Sequence, residues 1–429
     1  MDLKTILLVV LPLLVNFCCA TEIETTSPFV AELYVTNILS PRGLLLDSSG
    51  DILVTSSNAS TITAIRETID DAGNSTVETR IIVNAPELVL THGIAFFGGF
   101  LYASGQSTVY RWPYVPGQFS LIDGTTVETV INGMETGGHT TRTLIFDAAG
   151  ILYVSIGSEA NIDPDSRRAR IRRFNLSSQT LPIPFSDGEL FADGVRNTVG
   201  LAFNSEGVLF GVDNGPDRLE HPEFGPVWDE NPGEEMNKFT LPSGTHYGYP
   251  YCWSSYNLEG YPAGSQFAWP TFDTHNDSYC QDPNRNPPPV LSMPAHSAPL
   301  SIEFYKGENC GVDGAFPCSS IGDAFVAFRG SWHPGVSYGY KVSWYPFNNS
   351  TQLPTGEVTD VVFAPDATNS CNTCLRPVGA IFNKRGHLIV AADATNEIYK
   401  ITYAGNAGAR SFVAFNLIAF VTFFLALFT

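Results

Sequence analysis

Side chains able to do chemistry fall in a few short segments of this chain. Gly138-His139-Thr140-Thr141-Arg142, Gly194-Val195-Arg196-Asn197 and Ala295-His296-Ser297-Ala298-Pro299 each set a cationic or titratable residue among small ones. Arg329-Gly330-Ser331-Trp332 and Leu375-Arg376-Pro377-Val378-Gly379 repeat the pattern. A guanidinium forks a carboxylate bidentately, so Arg142, Arg196, Arg329 and Arg376 gathered in one place would hold a small polyanionic ligand. Any one of them alone is better explained by a structural carboxylate partner. His139 and His296 are candidates for a general base, because imidazole titrates near neutral pH. Taken singly, each reads more readily as a structural histidine. Asp213-Asn214-Gly215-Pro216-Asp217 and Gly233-Glu234-Glu235-Met236-Asn237 supply hard oxygen atoms, backbone carbonyls included, of the kind calcium prefers. Their spacing is not that of an EF-hand.

These segments lie far apart, so a repeated architecture must bring them together. An apolar strand, a tight turn and a second apolar strand recur six times: Arg42 to Thr55, His92 to Ser104, Arg142 to Ser155, Val199 to Asp213, Ala298 to Arg329 and Val378 to Ala392. The turns Asp-Ala-Ala-Gly, Asn-Ser-Glu-Gly and Asn-Lys-Arg-Gly place Gly where positive φ is needed. The first three copies begin about 50 residues apart, the length of one four-stranded blade. Strands apolar on nearly every residue are buried on both faces, as in stacked blades. The predicted fold is therefore all-β, a six-bladed β-propeller over residues 21–404. Residues just before each copy should cluster at one end of its central channel. A β-sandwich with accidentally similar hairpins is the weaker reading.

Composition bounds the function. Acidic residues outnumber basic ones 43 to 23, giving a net charge of −20, which excludes nucleic acid and anionic lipid surfaces as partners. Residues 1–20 carry an apolar run ending in Cys18-Cys19-Ala20, as in a signal peptide. Residues 405–429 place small residues before an uncharged apolar tail, which reads as a GPI-anchor signal or a membrane tail. The protein is expected at the extracellular cell surface, touching the membrane only through that anchor. Asn58, Asn74, Asn175, Asn276, Asn348 and Asn349 begin glycosylation sequons. Six cysteines lie beyond the leader, and six allow fifteen pairings. The simplest set is local: Cys252–Cys280, Cys310–Cys318 and Cys371–Cys374. The last is a CxxC, for which a structural disulfide is favoured over a redox or zinc role.

In order, GGHTTR, GVRN, DNGPD, PGEEMN, HYGYP, AHSAPL, FRGSW and RPVG resemble the soluble glucose and L-sorbosone dehydrogenase family, its fungal pyrroloquinoline quinone (PQQ)-dependent pyranose dehydrogenase branch above all. The resemblance runs from about Ala31 to Thr402. It implies a six-bladed propeller with PQQ over the channel mouth and Ca2+ beneath it. It implies that His139 takes the proton from the C1 hydroxyl of a sugar substrate while hydride passes to PQQ. It matches Arg196 and Asn197 to a pair contacting PQQ, Arg196 beside the reacting carbonyls. Gly215 and Pro216 match the carbonyls that hold calcium, and Arg376 an arginine on a PQQ carboxylate. Arg142, His296 and Arg329 match rim positions expected to touch the cofactor. The electron acceptor would be a quinone or a haem protein. Cys374 stands where bacterial members have a second arginine, and Thr140-Thr141 after the base also differ. Two other functions suit a six-bladed propeller. A calcium-dependent lactonase has no use for an arginine ring, and a non-catalytic surface binding module has no use for His139, Arg196, Asn197 and Arg376 together.

Overall fold

The computed structural model describes residues 22–333, 338–365, 371 and 373–405. The expected signal peptide and the tail beyond Gly405 lie outside the described residues. Six sheets, antiparallel except for an added parallel edge strand in the second and third, follow one another along the chain. The first comprises Pro41–Leu46, Ile52–Ser56, Thr61–Ile69 and Ser75–Asn84. The second begins with Ile94–Phe97 and Phe100–Ser104, the third with Leu144–Phe146 and Ile151–Ile156, the fourth with Thr198–Phe203 and Leu209–Asp213. The fifth begins with Pro299–Phe304 and Ala324–Phe328. The sixth contains Pro377–Phe382, Leu388–Ala392 and Glu397–Tyr403, and its outer strand is the early segment Phe29–Thr36. Phe29 pairs with Tyr403 in that closure. Each repeat seen in the sequence is thus the innermost strand pair of one blade. The fold is all-β, with a single α-helical turn, Asp277–Cys280, among the described residues.

Local chemistry explains the hairpins. The side chain of Asp47 accepts hydrogen bonds from the N–H groups of Ser49, Gly50 and Asp51. Asp147, Asn204 and Asn383 close the corresponding turns in blades 3, 4 and 6 the same way. Gly150, Gly207 and Gly386 then take φ of 82°, 74° and 73°, which glycine adopts without strain.

Each pair of neighbouring blades encloses its own apolar core. Leu53, Ile62, Leu101 and Trp112 pack between blades 1 and 2, and Phe316, Phe325, Phe382 and Val390 between blades 5 and 6. At the axis the approach is closer still. A Cβ on Gly43 would collide with the carbonyl oxygen of His92, and one on Gly93 with that of Arg142. Gly200 and Gly379 meet the backbones of blades 5 and 1 in the same manner. A channel of about 380 Å³ runs along the axis, lined by residues 43–46, 92–96, 143–146, 199–201, 300–303 and 378–382.

The three disulfides are the local ones expected: Cys252–Cys280, Cys310–Cys318 and Cys371–Cys374. The first staples the long insertion of blade 4, whose satellite core holds Leu219, Trp253, Phe267 and Trp269. All six sequon asparagines are exposed.

Substituting Gly93→Ala should destabilise the protein by about 1–3 kcal/mol, because blade 3 cannot yield to the added methyl. Gly124→Ala, which meets nothing within 4 Å, should stay within about 0.5 kcal/mol of wild type. Denaturant unfolding of both variants checks this, and equal midpoints would refute the account of the axis.

Candidate active site at the channel mouth

The segments that open and close the innermost strand pairs meet at one end of the channel. In blade 4, Asp213 accepts hydrogen bonds from the N–H groups of Arg196 (2.9 Å) and Asn197 (2.7 Å) and from the Thr198 hydroxyl (2.9 Å). That grip fixes the turn presenting Arg196 and Asn197. The Arg196 guanidinium donates to the carbonyl oxygens of Asn161, Asn214 and Gly215, the last at 2.8 Å, and to the Asn161 side chain. Asp217 lies 3.6 Å from it. Gly215 O therefore faces a cation, at the turn expected to bind one.

His139 lies beside this group. Asn197 and His139 both pack over Gly157, where a Cβ would strike each of them. Nδ1 of His139 is 2.9 Å from both the carbonyl and hydroxyl oxygens of Ser158. Nε2 has no hydrogen-bond partner among the described residues. Burial, and then the Arg196 charge, push His139 down to about 4, so it is neutral at physiological pH.

His296 is arranged in the opposite sense. Its Nδ1 lies 2.8 Å from Asp217 Oδ1 and its Nε2 against the Trp228 carbonyl oxygen. Two acceptors facing two ring nitrogens call for both to be protonated. Burial alone would lower its pKa, but Asp217 and the Trp228 carbonyl overcome that and raise it. Both nitrogens being engaged by the protein, His296 is no base, and its contact is to Asp217 rather than to a ligand.

On the far side, Arg329 donates to Asp393 at 2.8 Å and Arg42 to the same carboxylate at 3.0 Å. Arg376 lies against the Tyr340 ring, with Nε and Nη2 on the carbonyl oxygens of Arg329, Gly330 and Ser331. Its Nη1 has no partner among the described residues. Two cations thus share the Asp393 carboxylate and Arg376 stands beside them on neutral carbonyls, leaving a positive side to the mouth of a strongly acidic protein.

Two expectations need correction. Arg142 is not a rim residue: it is wholly buried, with its guanidinium on the carbonyl oxygens of Glu135, His139 and Thr141, and offers no surface to a cofactor. The acidic side chains near Gly215 do not converge on a metal. Glu234 is spent on the N–H groups of Gly215 and Ala298, and Glu235 on Asn237. Burial pushes Asp213, Glu234 and Glu235 up to about 6, about 8 and about 7. No cluster of three or more His, Cys, Asp or Glu able to hold a metal occurs among the described residues. Any ion there would rest on backbone oxygens such as those of Gly215 and Pro216. Sequence reasoning missed Ser158, Asn161, Asp393 and Arg42. Arg42 opens the first repeat as Arg142 opens the third, and Asp393 closes the sixth as Asp213 closes the fourth; that symmetry was the available signal.

Fold and mouth together define a six-bladed propeller whose polar site crowns the axial channel. The chain belongs to the TrAA12-like family, whose model matches residues 23–404. A pyrroloquinoline quinone-dependent sugar dehydrogenase of Hypocrea jecorina is 30% identical to it, covering 91% of this chain and 93% of that protein. A pyrroloquinoline quinone-dependent pyranose dehydrogenase of Coprinopsis cinerea is 26% identical over 84% of this chain, which spans only 52% of that longer relative. A calcium structure of the Trichoderma reesei carbohydrate-active enzyme family AA12 is similar with a TM-score of 0.79 and 27% identity, covering 90% of this chain and 98% of that one.

The Asp217–His296 pair predicts a pH signature. His296 is held above its ordinary 6.5, so its pairing stabilises fully below that value and fades as pH rises through the folded pKa. Asp217 is held below its ordinary 3.8 by His296 and Arg196, against the pull of its burial, so its share is present above 3.8 and fades as pH falls further. The stability lost in Asp217→Asn should therefore peak between about pH 4 and about 6.5. Unfolding curves that show the same loss at about pH 5 and about pH 9 would contradict the pairing.

Proposed function

We propose that this protein is an oxidoreductase that oxidises a sugar at C1 with PQQ and calcium. The observation that carries the reading is a neutral histidine whose Nε2 has no partner among the described residues, at the same end of the channel as Arg42 and Arg329, which share the Asp393 carboxylate, and Arg376, which rests on neutral carbonyls. PQQ bears three carboxylates, and this donor set suits it. Arg376 through Nη1, Arg329, and Arg196 with Asn197 would hold it. The carbonyls of Gly215 and Pro216 would hold calcium, Gly215 O through the lone pair that Arg196 does not use. When bound, the quinone supplies the hydride acceptor that no side chain can be, and the ion polarises it.

The rest of the work belongs to the protein. His139 Nε2 accepts the proton of the sugar hydroxyl, which avoids an oxocarbenium-like cation as hydride leaves. Its neutrality makes that lone pair available at working pH. Arg196 lies near His139 and bonds the Gly215 turn, so its charge disfavours protonation of the resting base and would stabilise negative charge on a bound quinone. His296 and Asp217 brace Arg196 from outside the reaction. Among the described residues, no helix is long and apolar enough to cross a membrane. We read the leader and tail as a secretion signal and a GPI signal, and release from intact cells by phospholipase C tests the tether.

Adding PQQ and calcium to purified protein should give a quinone absorbance change upon addition of aldoses or glucosone-like sugars; no change with any of these would defeat the reading. Arg376→Ala and Arg196→Ala should each weaken PQQ binding by about 1.5–3 kcal/mol, as lost charge-assisted contacts do. Excess chelator should abolish cofactor binding while leaving the propeller folded, as judged by calorimetry and circular dichroism. His139→Gln should lower turnover about 10²–10⁴-fold with PQQ still bound. Wild-type turnover in that variant would remove His139 as the base.

A further inference from the structure

His139 is seated by two residues that no part of the proposed reaction touches. The Ser158 hydroxyl donates its proton to the carbonyl oxygen of Ala160 at 2.8 Å. Its oxygen can then only accept from Nδ1 of His139, as the Ser158 carbonyl must. Nδ1 accordingly carries the hydrogen and Nε2 the lone pair. The loop itself is clamped from both sides. The N–H groups of Gly138 and His139 donate to the carbonyl oxygens of Glu159 (2.8 Å) and Ser158 (3.1 Å). From the opposite side, Arg142 places Nη1 on the carbonyl oxygens of His139 (2.7 Å) and Thr141 (2.8 Å), and Nη2 on that of Glu135 (2.7 Å). Ser158 and Arg142 are both 0% exposed. Arg142 has no carboxylate partner among the described residues, so its charge is dispersed over carbonyl dipoles alone.

We propose that Ser158 and Arg142 are positioning residues that hold His139 as the Nδ1-protonated tautomer, with Nε2 presented to the channel mouth. The inference rests on reading His139 as the base. It adds that the base has no carboxylate behind it. The charged groups facing the ring are Arg196, Arg142 and Asp217, and Asp217 is committed to His296. The neighbouring Glu159 carboxylate pairs with Arg168 at 2.9 Å. The sugar's hydroxyl proton arrives on Nε2, and the imidazolium formed meets only neutral oxygens at Nδ1. Such a cation sheds its proton readily, which resets the base for the next turnover.

The test begins with the protein free of cofactor, uniformly labelled with 15N-histidine. Wild type should show a protonated Nδ1 and an unprotonated Nε2 at His139 from neutral pH down to about pH 5, above its titration at about 4. Ser158→Asp puts a carboxylate against Nδ1–H, so His139 should titrate about one unit or more higher. The acidic limb of the kcat/KM profile of the reconstituted enzyme should move in the same direction. Arg142→Lys keeps the charge but cannot fork three carbonyls; kcat should fall by about 10²-fold with KM unchanged, and both tautomers should appear. An Nε2-protonated ring in wild type would overturn the proposal. So would an unmoved His139 titration in Ser158→Asp, or wild-type kcat and nitrogen shifts in Arg142→Lys. If Ser158→Asp does not fold, the wild-type and Arg142→Lys spectra decide. If the reconstituted protein oxidises no sugar, the functional reading falls, while the spectra of the free protein still settle how His139 is held.

Discussion

Six innermost strands can surround one axis only where their backbones pass almost in contact. At Gly43, Gly93, Gly200 and Gly379 the neighbouring chain occupies the space a methyl group would need. Blade 3 has Thr143 in the corresponding place, and its hydroxyl donates to the Val199 carbonyl oxygen instead. This closeness gives the channel its fixed bore and brings every strand opening to one rim. Side chains separated by hundreds of residues then share a site whose dimensions are set by backbone, which is stiffer than any loop. The apolar cores between blades hold the ring shut, each residue buried there adding about 25 cal/mol per Å² of apolar surface removed from water.

The polar chemistry of the rim follows a second rule: carbonyl oxygens left over at strand ends are satisfied by guanidinium groups. Arg142, Arg196 and Arg376 each bond two or more of them. Burying a cation this way is tolerable because several dipoles replace its hydration. It also decides what each arginine can still offer. Arg142 is used up, Arg376 retains one nitrogen, and Arg329 stays partly exposed on its carboxylate. Burial, aided by the charges of Arg196 and Arg142, holds His139 neutral, while Asp217 and the Trp228 carbonyl overcome burial to do the reverse for His296.

Much of this was legible in the sequence. Turn residues and two-faced apolar strands are local signals, so the repeats and the six-bladed propeller could be read from Asp147-Ala148-Ala149-Gly150 and its relatives. Nearness in sequence likewise made Cys252–Cys280, Cys310–Cys318 and Cys371–Cys374 the simplest pairing. What stayed hidden was direction. Nothing in GGHTTR distinguishes an arginine turned into the ring from one turned to its mouth, and Arg142 goes inward. Residue type alone does not separate His139 from His296 as a candidate base; only the family resemblance does, and the physical difference lies in what stands opposite: Ser158 for one, Asp217 for the other. The carboxylates near Gly215 misled for the same reason, their oxygens being claimed by N–H groups far along the chain.

The closing strand carries one more consequence. Pro28 O accepts the N–H of Ala404, and Phe29 pairs with Tyr403, so the two ends of the propeller lie side by side. From Pro28 to Ala404 the polypeptide is an almost closed circle, and the segment before the seam runs on to pair Glu24 and Thr25 with the outer part of blade 5. Where that circle is cut is a matter of genetic history rather than of mechanics. A gene rearranged to join these ends and to begin at another blade's outer loop would encode the same ring and the same rim, with the seam in a different place.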